Sequence, residues 1–162
     1  MSSVHAHPVL RMLAAMPLAL FTAITVSTAA LAQMPAPSPA TATANAGAPA
    51  NRIVIQVSDN DPGKWNLALN NAKNIQADLG AANVAIEIVA YGPGINMLKM
   101  DSAVGGRVDE AVASGVKVVA CENTMRGAKL TKPDMLDKIG YVPAGVVELM
   151  QKQQQGWAYL RP

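Results

Sequence analysis

The fold is decided by residues 52–80, which read RIVIQVSDNDPGKWNLALNNAKNIQADLG. The first part, Arg52 to Ser58, is rich in β-branched side chains and places apolar residues on both faces of an extended chain. This pattern is typical of a strand that is covered on both sides. Asp61 followed by Pro62 is typical of a helix start, and apolar residues then recur at helical spacing until Gly80. The stretch therefore predicts a buried strand followed by an amphipathic helix.

The alternation of strand and helix continues to the end of the chain. The further predicted strands are Asn83 to Ala90, Val116 to Cys121, Tyr141 to Val142 and Trp157 to Leu160. The further predicted helices are Ala103 to Ser114, a short one capped by Asn123 that runs to Lys129, one opened by Thr131, and Ala144 to Gln155. This order is typical of a parallel sheet with helices on both faces. We therefore expect a three-layer α/β/α domain with a mainly parallel sheet of about five strands.

The first 50 residues differ in character from the rest. Arg11, the apolar stretch after it and the small residues near Ala32 match a secretory signal peptide, so residues 1–32 are predicted to be cleaved. Residues 33–50 are rich in Ala, Pro, Ser and Thr and are predicted to be a disordered spacer. The folded domain is expected at residues 51–162, in a periplasmic or secreted protein that is free of the membrane after cleavage. An uncleaved membrane anchor is the alternative.

Composition excludes several kinds of site from the predicted mature chain. Both histidines, His5 and His7, lie in the leader, and Cys121 is the only cysteine. A single mature chain therefore lacks the residues for Ser-His-Asp and Cys-His catalysis and for the usual zinc sites, and we predict no metal and no cofactor. Removing Arg11 leaves 12 basic side chains against 11 acidic ones. No basic patch predicts nucleic-acid binding.

Cys121 is predicted to end the third strand. In open α/β folds the carboxyl edge of the sheet is where ligands bind. If the next residues open a helix, the N–H groups of Asn123 and Thr124 stabilise the thiolate, and Arg126 can lower the thiol pKa further. From position alone, a small buried cysteine that fills the end of the sheet is an equal alternative.

The turn Tyr91-Gly92-Pro93-Gly94 follows the second strand and is predicted to lie on the same edge as Cys121. Paired glycines there can admit a small ligand or an anion, which makes Tyr91, Gly92 and Gly94 candidate binding residues. The alternative is a tight turn that needs a positive φ.

Four segments resemble the DsrE/DsrF-like proteins, small α/β domains linked to sulfur oxidation and sulfur relay. The segments are Val116 to Thr124 (VKVVACENT), Ala90 to Met97 (AYGPGINM), Tyr141 to Leu149 (YVPAGVVEL) and Gln154 to Pro162 (QQGWAYLRP). With the first strand and its helix, the resemblance spans nearly all of Asn51 to Pro162.

The resemblance implies a domain that assembles into homotrimers or hexamers and a cysteine after the third strand that carries sulfur as a persulfide. Cys121 occupies that position. The chain is then an exported sulfur carrier or sulfurtransferase, whose partners are a sulfur donor and an acceptor protein or small thiol. The first alternative is a non-catalytic, oligomeric protein that binds a small ligand and has a structural cysteine. A hydrolase or transferase is the second, although the absence of histidine removes the commonest base.

Overall fold

The computed structural model describes residues 49–162. The strands are β1 (Asn51–Val57), β2 (Val84–Ala90), β3 (Lys117–Cys121), β4 (Gly140–Val142) and β5 (Ala158–Leu160). The α-helices are α1 (Pro62–Leu79), α2 (Gly105–Ala113), α3 (Glu122–Gly127) and α4 (Gly145–Gln154). Short 3₁₀ helices cover Ala81–Asn83, Gly92–Leu98 and Lys132–Asp134. The predicted signal peptide, residues 1–32, and most of the predicted spacer lie outside the described residues.

The five strands form one parallel sheet in the order β4-β3-β2-β1-β5. Helices α1 and α2 pack on one face of the sheet, and α4 crosses from β4 to β5 over the other face, against β1 and β2. The structure therefore confirms the predicted three-layer α/β/α fold. Among the described residues, no helix is both long enough and apolar enough to cross a membrane.

Two apolar clusters of different size hold the helices on the sheet. The larger one packs Trp65, Leu69 and Val108 of α1 and α2 against the sheet. The smaller one, under α4, contains five buried side chains: Val54, Val89, Val119, Val142 and Leu149. Because side chains alternate along a strand, Cys121 lies on the same face of β3 as Val119. The cysteine therefore faces the thinner layer, which α4 covers.

The start of α1 agrees with the prediction from the sequence. Asp61 is the N-cap, and its Oδ1 accepts hydrogen bonds from the N–H groups of Gly63 at 2.8 Å and Lys64 at 3.4 Å. Pro62 follows at the first helical position, and Gly80 ends the helix with a φ of 82°. These local contacts fix the connection between β1 and α1.

One predicted helix start is wrong, and another opens only a single turn. Asn123 does not cap α3, because β3 runs into that helix without a connecting residue and Cys121 itself occupies the N-cap position. Thr131 opens a single 3₁₀ turn, Lys132–Asp134, and no α-helix. In that turn the Asp134 carboxylate accepts from both the N–H and the hydroxyl of Thr131, each at 2.7 Å, and the chain is extended again at the next residue.

Candidate thiol site at the carboxyl edge of the sheet

Cys121 is the last residue of β3 and the N-cap of α3. It is paired with Val142 of β4 across the sheet, and 5% of its surface is exposed. Because α3 begins at this residue, the positive end of its dipole lies near the sulfur. The thiol is therefore buried, but it lies in a position that favours a negative charge.

A second helix also begins at this sulfur. The N–H of Gly145, the first residue of α4, donates to Cys121 Sγ at 3.2 Å. This N–H has no acceptor within α4 because it belongs to the first turn. A Cβ on Gly145 would lie 3.0 Å from Tyr91 Cβ and 3.3 Å from Cys121 Cβ. Glycine therefore allows the helix to approach the thiol this closely.

Thr124 connects the thiol to the loop after β2. Its hydroxyl oxygen accepts a hydrogen bond from the N–H of Gly92 at 2.9 Å, and its hydroxyl also interacts favourably with the Cys121 thiolate. The turn that starts at Gly92 and the start of α3 are therefore in direct contact through one side chain.

The pKa of the Cys121 thiol reflects opposing influences. Burial raises the pKa and is the largest single influence. The Thr124 hydroxyl near the sulfur and the N–H groups of Gly145, Thr124 and Asn123 lower it, and together they hold the pKa below the ordinary value of 9.0. The surroundings of Cys121 therefore favour the thiolate in spite of its burial.

Two predicted supporting residues lie on the exposed side of α3. The Arg126 guanidinium donates to Asn123 Oδ1, and the Asn123 N–H donates to the carbonyl oxygen of Pro143 at 3.2 Å. Asn123 thus connects α3 to the segment that precedes α4. The Arg126 guanidinium is hydrogen-bonded to the Asn123 side chain. A role for Arg126 in the chemistry of the thiol stays a prediction.

The two glycines after β2 have clear structural functions. Gly92 has a φ of 53°, in the region that favours glycine. Gly94 is buried against the backbone of β1, where a Cβ would overlap the carbonyl oxygen of Val57. Both observations agree with the alternative of a tight, crowded turn, and ligand binding by Gly92 and Gly94 stays a prediction.

Tyr91 lines a groove of about 370 Å³ between α4 and the sheet. The groove also contains Gln56, whose Oε1 accepts from the Tyr159 hydroxyl at 2.5 Å, and side chains of α4, which are Val146, Leu149, Met150, Gln153 and Gln154. Among the described residues that line it, none is charged. Because Tyr91 also contacts Gly145, the groove lies beside the thiol on the α4 face.

Metal binding finds no support within residues 49–162, where no three His, Cys, Asp or Glu side chains form a group that could hold an ion.

The residue that the sequence analysis missed is Gly145. The helix predicted to begin at Ala144 was the available signal, because a helix that follows a strand in a parallel sheet begins at the same edge as Cys121.

The comparisons with known proteins agree with this description of the fold. The family model of the DsrE/DsrF-like family matches residues 51–162. A protein of unknown function from Methanobacterium thermoautotrophicum, MTH1491, is 38% identical, with a TM-score of 0.66 over 69% of this chain and 99% of its own.

Two more distant solved structures share the fold. BT1422 from Bacteroides thetaiotaomicron, a conserved protein of unknown function, is 17% identical, with a TM-score of 0.59 over 69% of this chain and 95% of its own. The ychN protein from E. coli is 16% identical, with a TM-score of 0.54 over 69% of this chain and 99% of its own. None of the curated proteins matches this chain significantly. The family match over nearly all of the described residues shows that the chain belongs to the DsrE/DsrF-like family.

Proposed function

We propose that this protein handles sulfane sulfur and that Cys121 carries it as a persulfide. The observation that supports this most strongly is the environment of the thiol, where a hydroxyl and backbone N–H groups from α3 and α4 favour the thiolate. Membership of a family linked to sulfur relay supports the same chemistry. The thiolate is the form that attacks sulfur.

The reaction has two balanced steps. In the first, the Cys121 thiolate attacks the outer sulfur of a donor persulfide, R–S–SH; the S–S bond of the donor breaks, the donor leaves as the thiolate R–S⁻, and Cys121–S–SH forms. In the second, an acceptor thiolate attacks the outer sulfur of Cys121–S–SH, and Cys121 leaves as a thiolate. No net oxidation is needed, and neither a metal nor histidine takes part.

The small exposed fraction of Cys121 limits what can reach it. With 5% of the residue exposed, the donor and the acceptor are slender groups, such as a low-molecular-weight persulfide or a cysteine presented by a partner protein. We place the rest of such a molecule beside Tyr91, on the α4 face.

The intact mass of the protein tests this proposal. After incubation with a sulfane-sulfur donor and removal of excess reagent, we expect the wild type to gain the mass of one sulfur atom, which a reductant removes again. The Cys121→Ser variant is the matched control and is expected to gain nothing. An unchanged wild-type mass, under conditions where a control persulfide protein is loaded, contradicts the proposal.

The second candidate function is non-catalytic binding of a small, uncharged ligand in the groove beside Tyr91. Its support is the groove itself, which is lined by amide and hydroxyl groups together with apolar side chains of α4. Alkylation kinetics separate the two candidates: a thiol that reacts only after denaturation favours binding, and a fast reaction in the native protein favours sulfur transfer.

We also propose that the protein is exported and forms a homotrimer or hexamer. Exposed apolar side chains on and beside α4, which include Val146, Met150 and Tyr159, support association. Light scattering measures the assembly. Sequencing of the mature N-terminus tests cleavage of residues 1–32, and a start at Met1 contradicts it.

A further inference from the structure

A buried carboxylate lies on the α4 face, some distance from the thiol. Glu87, in the middle of β2, is fully buried, and it is the register partner of Lys117 on β3. Cys121 lies four residues further along β3, which corresponds to about 13 Å. The carboxylate therefore has no contact with the sulfur and can influence the hydrogen bonds of the thiol only through other residues.

Two lysines share this carboxylate. Glu87 Oε2 lies 2.7 Å from Lys152 Nζ of α4 and 3.1 Å from Lys117 Nζ. Lys152 is held further by Glu148 at 3.5 Å and by the ring of Trp157, whose centroid is 4.2 Å from Nζ. The Lys152 side chain is 14% exposed, whereas that of Lys117 is 55% exposed. Lys152 is thus the lysine that joins a helix to the sheet.

The charge state of Glu87 follows from these neighbours. Burial raises its pKa, but Lys152, Glu148 and Lys117 outweigh burial and hold the pKa below the ordinary value of 4.5. Burial and the neighbouring Glu87 raise the pKa of Glu148. A charged Glu87 that loses its lysines would be a buried, uncompensated ion, which is strongly unfavourable. The pair therefore resists separation of α4 from the sheet.

The apolar contact of α4 is small, so this ion pair matters for its position. Within α4, all of which the structure describes, only Gly145 and Leu149 are buried. Gly145 donates to Cys121 Sγ at one end of the helix, and Lys152 pairs with Glu87 seven residues later, about 10 Å along the axis. A helix of this length moves as one unit, so a shift at Lys152 also shifts Gly145.

We propose that Glu87 is a positioning residue, which pairs with Lys152 to fix α4 on the sheet and thereby holds the Gly145 N–H against Cys121 Sγ. The proposal concerns the same thiol as the proposed function. It does not require sulfur to be the cargo, because it predicts the acidity of the thiol and no transfer reaction.

The test compares two variants, each of which removes one of the two lysines that pair with Glu87 Oε2. Lys152→Met releases α4, whereas Lys117→Met leaves α4 paired with Glu87. The titration of the thiolate is followed by its ultraviolet absorbance, which is specific because Cys121 is the only cysteine. We expect Lys152→Met to raise the thiol pKa by about one unit, which lowers the thiolate fraction about tenfold at a pH below the pKa. Lys117→Met is expected to change it far less. Equal shifts in the two variants overturn the proposal.

Glu87→Gln is the second, independent variant. Through space, the loss of a negative charge would lower the thiol pKa, but loss of the α4 anchor raises it, so the sign of the change separates the two effects. We expect a rise; a fall or no change in the folded variant overturns the proposal. The neutral amide leaves no buried carboxylate without a partner, so this variant remains informative if Lys152→Met does not fold. Sulfur loading of the wild type is measured separately, so a failure of the proposed function is distinguishable.

Discussion

Replacing Thr124 with valine tests the origin of the thiol's acidity. The substitution keeps the branched shape of the side chain but removes the hydroxyl that stabilises the Cys121 thiolate and accepts from the Gly92 N–H at 2.9 Å. A hydrogen bond to a charged group contributes about 1.5–3 kcal/mol, and one pKa unit corresponds to about 1.4 kcal/mol. Because the N–H groups of Gly145, Thr124 and Asn123 remain, we expect the thiol pKa to rise by about one unit.

The same substitution has a separate effect on stability. Gly92 loses the acceptor of its N–H, which we expect to lower the free energy of unfolding by about 1 kcal/mol, since the residue is half-buried and water can replace part of the contact. Thr124→Ser is the matched control, because it keeps the hydroxyl.

The assay is the pH dependence of the alkylation rate in native protein, supported by the absorbance of the thiolate. We expect the midpoint to move upward in Thr124→Val and to stay near that of the wild type in Thr124→Ser. If the valine and serine variants titrate alike, the Thr124 hydroxyl does not stabilise the thiolate and the description of the site is wrong.

Three further predictions concern stability, each measured by urea unfolding. Gly94→Ala places a Cβ onto the Val57 carbonyl and is expected to lower the free energy of unfolding by about 3 kcal/mol. At Gly106 a Cβ meets nothing within 4 Å, so Gly106→Ala is the control and is expected to raise the free energy of unfolding by up to about 1 kcal/mol. Similar losses in both variants contradict the crowding at Gly94. Asp61→Ala is expected to cost about 1 kcal/mol, because α1 loses its N-cap, and an unchanged value contradicts that role. Between the lowered pKa of the folded state and 9.0, the Cys121 thiol is more protonated in the unfolded protein than in the folded protein. The free energy of unfolding of the wild type is therefore expected to rise with pH through this window, relative to that of Cys121→Ser. That contribution is present above 9.0 and lost as the pH falls through the folded pKa, and a difference that does not vary with pH contradicts it.

The fold follows from the sequence because its signals are local. Asp61 and Pro62 start α1, Gly80 ends it, and the β-branched residues of β1 need cover on both faces. Each of these effects acts over a few residues, so periodicity and capping predict the elements and their alternation predicts a parallel sheet.

The detail of the site depends on contacts between distant residues. The Gly145 N–H reaches Cys121 because β4 lies beside β3, and no local pattern specifies which strands are neighbours. Asn123 was predicted to cap α3 because its side chain is a good cap, but the absence of a loop after β3 places Cys121 at that position.

Glu87 shows the same limit. It stands out in the sequence as a charge within an apolar strand, but its partners follow 30 and 65 residues later, on β3 and α4. Only the packing of α4 across the sheet brings Lys152 to it.

The most direct test of sulfur carriage is a single-turnover experiment on one loaded sample. Wild-type protein is loaded from a sulfane-sulfur donor, freed of excess donor and mixed with an acceptor thiol, and the masses of protein and acceptor are followed together, with Cys121→Ser in parallel. We expect the wild type to lose one sulfur atom as the acceptor gains one, and the serine variant to carry none. A wild-type protein that never takes up sulfur, or one whose serine variant takes up as much, would contradict the assignment of Cys121 as the carrier.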